Sequence, residues 1–199
     1  MMQPAKLSYK VYQGSTFQET YRWESQTKIY VPIQSISKSA PCIVTTQEPH
    51  NLPLGWRFKV VGAGGMKEIN TSEYYTATDT TGTTGTTIEI NQVNSLQYTT
   101  YTSGGIVEYN SPVDLTGYKA RMQVRKTIGS EDIIYQASST TGEIVLDLIL
   151  NTITLTIPAS VTKDFTFSSA VYSIELYTDT GRVLPFLTGN LTLVQEVTR

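Results

Sequence analysis

His50 and Cys42, the one histidine and the one cysteine, are the first residues to weigh for acid–base or nucleophilic chemistry, while paired carboxylates cannot be recognised without distances. His50 stands in Glu48-Pro49-His50-Asn51-Leu52, a turn ahead of a strand, where its ring is expected to bond backbone. One histidine and one cysteine build no tetrahedral zinc site without carboxylates, and no ligand spacing supplies them. No G-x-S-x-G elbow exists to present a serine nucleophile. Gly62-Ala63-Gly64-Gly65 follows a strand as a phosphate loop would. It lacks the closing lysine and Ser/Thr, so it reads as a tight turn needing positive φ. Glu131-Asp132 and Asp179 lie in turns without calcium-loop spacing. The expectation is a chain that is no enzyme, holds no metal and uses no cofactor.

Tyrosine is the enriched residue, with 13 copies. Tyr74, Tyr75, Tyr98 and Tyr101 cluster in the middle of the chain. An apolar ring with a polar tip suits both sugar stacking and protein interfaces, which makes these four the candidate interface residues. Strands also favour tyrosine for reasons unconnected with binding. Asn70-Thr71-Ser72 and Asn190-Leu191-Thr192 match the glycosylation pattern, as a Thr-rich chain does by chance.

The elements that must position these residues are strands. The organising stretch is Pro112–Arg125, where Asp114-Leu115-Thr116-Gly117 reads as a type I turn. Strict alternation follows, with Tyr118, Ala120, Met122 and Val124 against Lys119, Arg121, Gln123 and Arg125. Leu7–Tyr12 and Phe17–Trp23 alternate in the same way, although Glu19 spoils one face. Short strands are expected at 42–46, 56–61, 74–77, 86–90 and 105–109, separated by polar turns such as the low-complexity Thr78–Thr87. Further strands are expected at Glu143–Leu148, Ile153–Ile157, Val171–Thr178, Val183–Leu187 and Leu191–Val194. Pro158 ends one of them, and a helical turn fits between Ala159 and Phe165. Pro185 marks an edge or a bulge.

Hydrophobic content of 39% and charged content of 16%, with abundant Thr, Ser, Tyr and Gly, favour strands over helices. A net charge of -2 and the lack of a basic run give no electrostatic case for nucleic acid or an anionic membrane surface. No apolar run is long enough to span a membrane, and MMQPAKLSYK is not read as a secretory signal. A lone cysteine forms no internal disulfide, which fits folding in a reducing compartment. The expected architecture is all-β. Residues 1–32 and 108–199 form an immunoglobulin-like β-sandwich from both chain ends, and 33–107 form an inserted small β-domain resembling a barrel.

The sandwich segments resemble the amino-terminal domain of phage baseplate upper proteins. The likeness rests on YKVYQGSTFQETYRW (Tyr9–Trp23), PVDLTGYKARMQVR (Pro112–Arg125), GEIVLDLILNTITLTIPA (Gly142–Ala159) and VYSIELYTDTGRVLPFLTGNLTLVQEVTR (Val171–Arg199). The insert resembles the small β-domain first named within ubiquitin-activating enzymes, on Val44–Asn70 and Tyr101–Gly105. The first resemblance implies a structural virion protein of a tailed bacteriophage, a tail or baseplate part that attaches or supports fibres or receptor-binding proteins. It also implies assembly in the bacterial host cytoplasm as a homo-oligomer. The partners would be other virion proteins, whether tail, portal-proximal or fibre proteins. The same folds serve capsid decoration or head-fibre proteins, and a carbohydrate-binding module is a third reading.

Overall fold

Apolar–polar alternation is realised as strand along most of the chain. In a computed structural model, which describes residues 3–80 and 85–196, strand makes up 51% of residues and helix 4%. The protein is therefore all-β. The chain opens with β1 (Ala5–Lys6), β2 (Tyr9–Tyr12) and β3 (Phe17–Arg22). Seven strands follow: β4 (Glu24–Ile36), β5 (Cys42–Thr46), β6 (Arg57–Val61), β7 (Tyr75–Thr76), β8 (Asp79–Thr80), β9 (Thr87–Ile90) and β10 (Ile106–Pro112). The rest is β11 (Tyr118–Arg125), β12 (Ile133–Ser138), β13 (Ile144–Asp147), β14 (Thr152–Ile157), α1 (Ala159–Thr162), β15 (Ser169–Thr178) and β16 (Val183–Val194).

Two units divide the chain. The split unit is Met1–Arg22, Asp114–Leu148 and Thr152–Arg199; the middle unit is Trp23–Val113 with Ile149–Asn151. The sequence placed the divisions after residues 32 and 107, whereas they fall after Arg22 and Val113. The reason is β4. It runs unbroken through Pro32 and pairs antiparallel with β10 from Ile106↔Pro32 to Pro112↔Glu24, so residues 24–32 and 108–112 belong to the middle unit's sheet.

The split unit is a sandwich. One sheet runs β1-β16-β15-β11-β12, with β2 also on β16, and the other runs β13-β14-β3. In the lettering of immunoglobulin domains this is A-G-F-C-C′ over D-E-B, and the middle unit takes the place of the B–C loop. Antibody domains join their sheets with a disulfide and a tryptophan; here tyrosines do so. Tyr9 of β2 lies 5.4 Å from Phe17 and 6.4 Å from Tyr21, both on β3, and 6.1 Å from Tyr172 on β15. Tyr21 meets Phe186 of β16 edge-on at 6.1 Å.

Local details follow the residues. The hydrogen-bonded turn before β11 is Leu115–Tyr118, one residue later than the sequence suggested, because Gly117 takes φ +75° at its third position. That sign at that position makes it type II. Asp114 instead accepts the Thr116 N–H through Oδ1 at 2.8 Å, and this bonding with Thr116 lowers its pKa. Pro185 falls at a bulge in β16, opposite Glu175. The expected single strand Leu7–Tyr12 is interrupted at Leu7 and Ser8, which separate β1 from β2. There the chain crosses β16 so closely that a Cβ on Gly189 would stand 1.5 Å from the Leu7 carbonyl oxygen.

The middle unit's sheet runs β7-β6-β10-β4-β5-β9-β8. Its two end strands are joined by Ala77 and Thr78. The Ala77 N–H donates to Trp56 on one side and the Thr78 N–H to Glu89 on the other, so the sheet nearly closes into a barrel. Trp56, Phe58, Val60, Ile88, Ile90 and Val107 fill it, all fully buried. Trp56 Nε1 donates to the Asn110 carbonyl at 2.9 Å. Of the polar Thr78–Thr87 stretch, residues 81–84 lie outside the described residues.

Candidate interaction surfaces

His50 and Cys42 are committed to structure. His50 is fully buried in the middle unit. Its Nδ1 accepts the Leu52 N–H at 2.9 Å, so the proton sits on Nε2, which faces the Thr87 carbonyl at 3.2 Å. Burial lowers its pKa, and the ring is neutral. Tyr109 Oη donates to the His50 carbonyl. The ring bonds backbone, as its turn position suggested, but inside the unit and not at its surface. Cys42 is also fully buried, and desolvation raises its thiol pKa. Among the described residues no three His, Cys, Asp or Glu side chains gather where a metal could be held.

The Gly62–Gly65 loop is a packing device. Gly62 and Gly65 take φ of +74° and +76°. The Gly64 N–H donates to Ser103 and Gly64 accepts from Thr102, so this backbone pairs with protein. A Cβ on Gly65 would lie 2.2 Å from the Thr100 oxygen.

The four candidate tyrosines separate by role. Tyr75 packs 6.0 Å from Phe58 and donates to the Ile69 carbonyl at 3.0 Å. Tyr101 Oη bonds the Gly104 carbonyl at 2.8 Å and lies 3.3 Å from the Ile33 carbonyl. Tyr98 is partly buried against the same core. Tyr74 alone lies clear of that core, 37% exposed, with Arg57 and Lys59 each 4.6 Å from its ring centroid.

Beside it the outer faces of β6, β10 and β4 form a continuous surface. Glu108 is registered opposite both Lys59 and Tyr30, and Tyr30 is 56% exposed. Lys28 pairs with Glu108, and Arg57 grips Glu24 through two bonds of 2.6 Å. Each carboxylate is matched by a cation, so the face offers rings and local polarity more than net charge. Sequence reasoning missed Tyr30 because it assigned no strand between Trp23 and Cys42 and placed a domain boundary after residue 32. The usable signal was Ile29, Val31 and Ile33 alternating against Lys28, Tyr30 and Pro32.

The split unit carries a second surface. The outer face of β11, β15 and β16 holds a groove of about 520 Å³, lined by Lys6, Gln123, Arg125, Ile128, Thr188 and Asn190 among others. Arg125 ties the β11–β12 hairpin down. Its Nη1 donates to the carbonyls of Ser130 and, at 2.7 Å, Glu131, while Nη2 reaches Gln123 Oε1 at 3.0 Å. This leaves Ile128 at the hairpin tip 93% exposed.

No protein-family model matches the chain, and no curated protein matches it either.

Proposed function

We propose that this chain is a structural protein of a tailed-bacteriophage virion, a tail or baseplate component that attaches or supports fibres or receptor-binding proteins. One observation carries the reading: an immunoglobulin-like strand order built from both chain ends, with a second β unit in place of the B–C loop. This is a scaffold that presents surfaces, and its segments are those that resemble the baseplate upper protein domain. The Tyr30–Tyr74 face of the middle unit and the groove of the split unit are the surfaces offered for non-covalent docking in a symmetric assembly.

The test is immunogold labelling of purified particles of the phage that encodes the chain, combined with protein quantification. Label at the tail end, in a small multiple of the tail's rotational symmetry, is the expected result. A particle without the chain overturns the reading. Copies spread over the head overturn the tail placement in favour of a decoration protein.

A further inference from the structure

Three cations point outward from β11, and two of them are matched. Lys119 meets Asp179 at 2.7 Å and Arg121 meets Glu175 at 2.8 Å. The third, Arg125, reaches the groove, and its bonds go to neutral acceptors: the Ser130 and Glu131 carbonyls and the Gln123 amide oxygen. These bonds fix the guanidinium and leave its charge uncompensated. Lys6 stands on the other side of the groove, and among the described residues neither cation forms an ion pair and no acid lines the groove. Strand register lays out the floor between them. Gln123, Ser173, Thr188 and Lys6 form one row across β11, β15, β16 and β1, and Arg125, Val171 and Asn190 form the next. Gly189 adds no side chain, which deepens the floor, and Ile128 supplies an apolar wall.

We infer that the groove is a binding site for a short acidic saccharide of the uronic-acid type. Charge complementarity sets the sign of the ligand: two unmatched cations and no acid call for carboxylates, which a fixed guanidinium binds well. Arg125 and Lys6 lie three strand steps apart, roughly 14 Å between backbones, and both side chains are long enough to lean inward over a disaccharide. Between them the Gln123 and Asn190 amides and the Ser173 and Thr188 hydroxyls offer donors and acceptors to ring hydroxyls, while Val171 and Ile128 lie against C–H faces. A volume of about 520 Å³ falls within the usual range for small-ligand sites, roughly 300–1,000 Å³. An extended acidic peptide fits less well. The floor is the side-chain face of paired strands and not an edge, so it offers no backbone ladder to a peptide. The site belongs to the isolated chain and stands whether or not the chain is a virion component.

The experiment is titration calorimetry of the full chain at low salt with digalacturonate, its neutral counterpart digalactose, and succinate as a plain dicarboxylate. Circular dichroism checks that each variant is folded. Wild type is expected to bind digalacturonate at millimolar concentration or below, more tightly than either control. Lys6→Glu, which reverses one charge, and Ser173→Leu, which fills the floor and leaves both cations in place, are exposed changes expected to weaken binding ~10-fold or more. Wild type that binds no digalacturonate at millimolar concentration overturns the inference. Digalactose bound as tightly overturns the role of charge, and succinate bound as tightly overturns the saccharide. Folded Lys6→Glu and Ser173→Leu chains that bind as wild type does place the site elsewhere and overturn it as well.

Discussion

Gly189 is where the amino-terminal strands can be tested most directly. Leu7 crosses β16 there with its carbonyl oxygen 1.5 Å from where a Cβ would stand, so Gly189→Ala expels the Leu7–Ser8 crossing. Three bonds depend on the crossing: Leu7 N–H to the Thr188 carbonyl at 2.9 Å, Tyr172 Oη to the Leu7 carbonyl at 3.0 Å, and Asn190 N–H to Ser8 Oγ at 3.3 Å. At a net ~0.5–1.5 kcal/mol each, their loss is expected to remove about 2–4 kcal/mol, more if the buried Tyr172 hydroxyl is left unpaired. Urea unfolding measures this, and hydrogen exchange at the Leu7 amide shows where protection is lost. The decisive control is a chain without residues 1–8. There the Leu7 obstacle is gone and only a 3.2 Å approach to the Tyr172 ring remains, so the substitution should be close to neutral, the more so because glycine inside a strand is itself unfavourable by roughly 0.5–1 kcal/mol. An equal penalty in both backgrounds, or under about 0.5 kcal/mol in the full chain, would refute the steric argument.

Other consequences are as direct. His50 is held neutral with its pKa below the ordinary 6.5, so its contribution is present above pH 6.5 and is lost as pH falls below it. Urea melts across that range should show the decline in wild type and a weaker one in His50→Gln; parallel curves would contradict the buried neutral ring. Gly65→Ala meets both φ +76° and the Thr100 oxygen and should cost about 2–4 kcal/mol. Gly129→Ala, at φ +88° with nothing within 4 Å, should cost only about 1 kcal/mol by the same assay. Tyr74→Ser removes an exposed ring between two cations and should change stability by under about 1 kcal/mol. Tyr101→Ser, which loses two backbone contacts, should cost more.

What could be read beforehand was whatever is local. Alternation in Tyr118–Arg125 gave a strand with Ala120, Met122 and Val124 buried and Arg121 exposed. Pro158 gave the end of β14, and the turn expected at Asp179 is there, closed by the Thr178 N–H on the Arg182 carbonyl. What escaped depends on partners distant along the chain. Pro32 looks like a breaker, yet β10 and β5 on either side hold β4 together through it. The break between β1 and β2 is imposed by Gly189, far away in sequence. Composition could single out tyrosine, but not which rings would be spent on the core. Tyr75, Tyr98 and Tyr101 went inward for packing and backbone bonds, and Tyr30, on an unsuspected strand, stayed out.

The Val113 N–H donates to the Trp23 carbonyl at 3.0 Å, fastening the first residue of the middle unit's main segment to its last. For the sandwich, that bond sets an order of events. Joining β3 to β11 through an unfolded Trp23–Val113 would mean closing a long flexible loop, an entropic penalty that grows with the logarithm of its length. A folded middle unit has already brought its two ends together, so the remaining strands meet across a connection that is effectively short. The second unit thus acts as a clasp, and damage to its interior should slow the folding of strands that belong to the other unit.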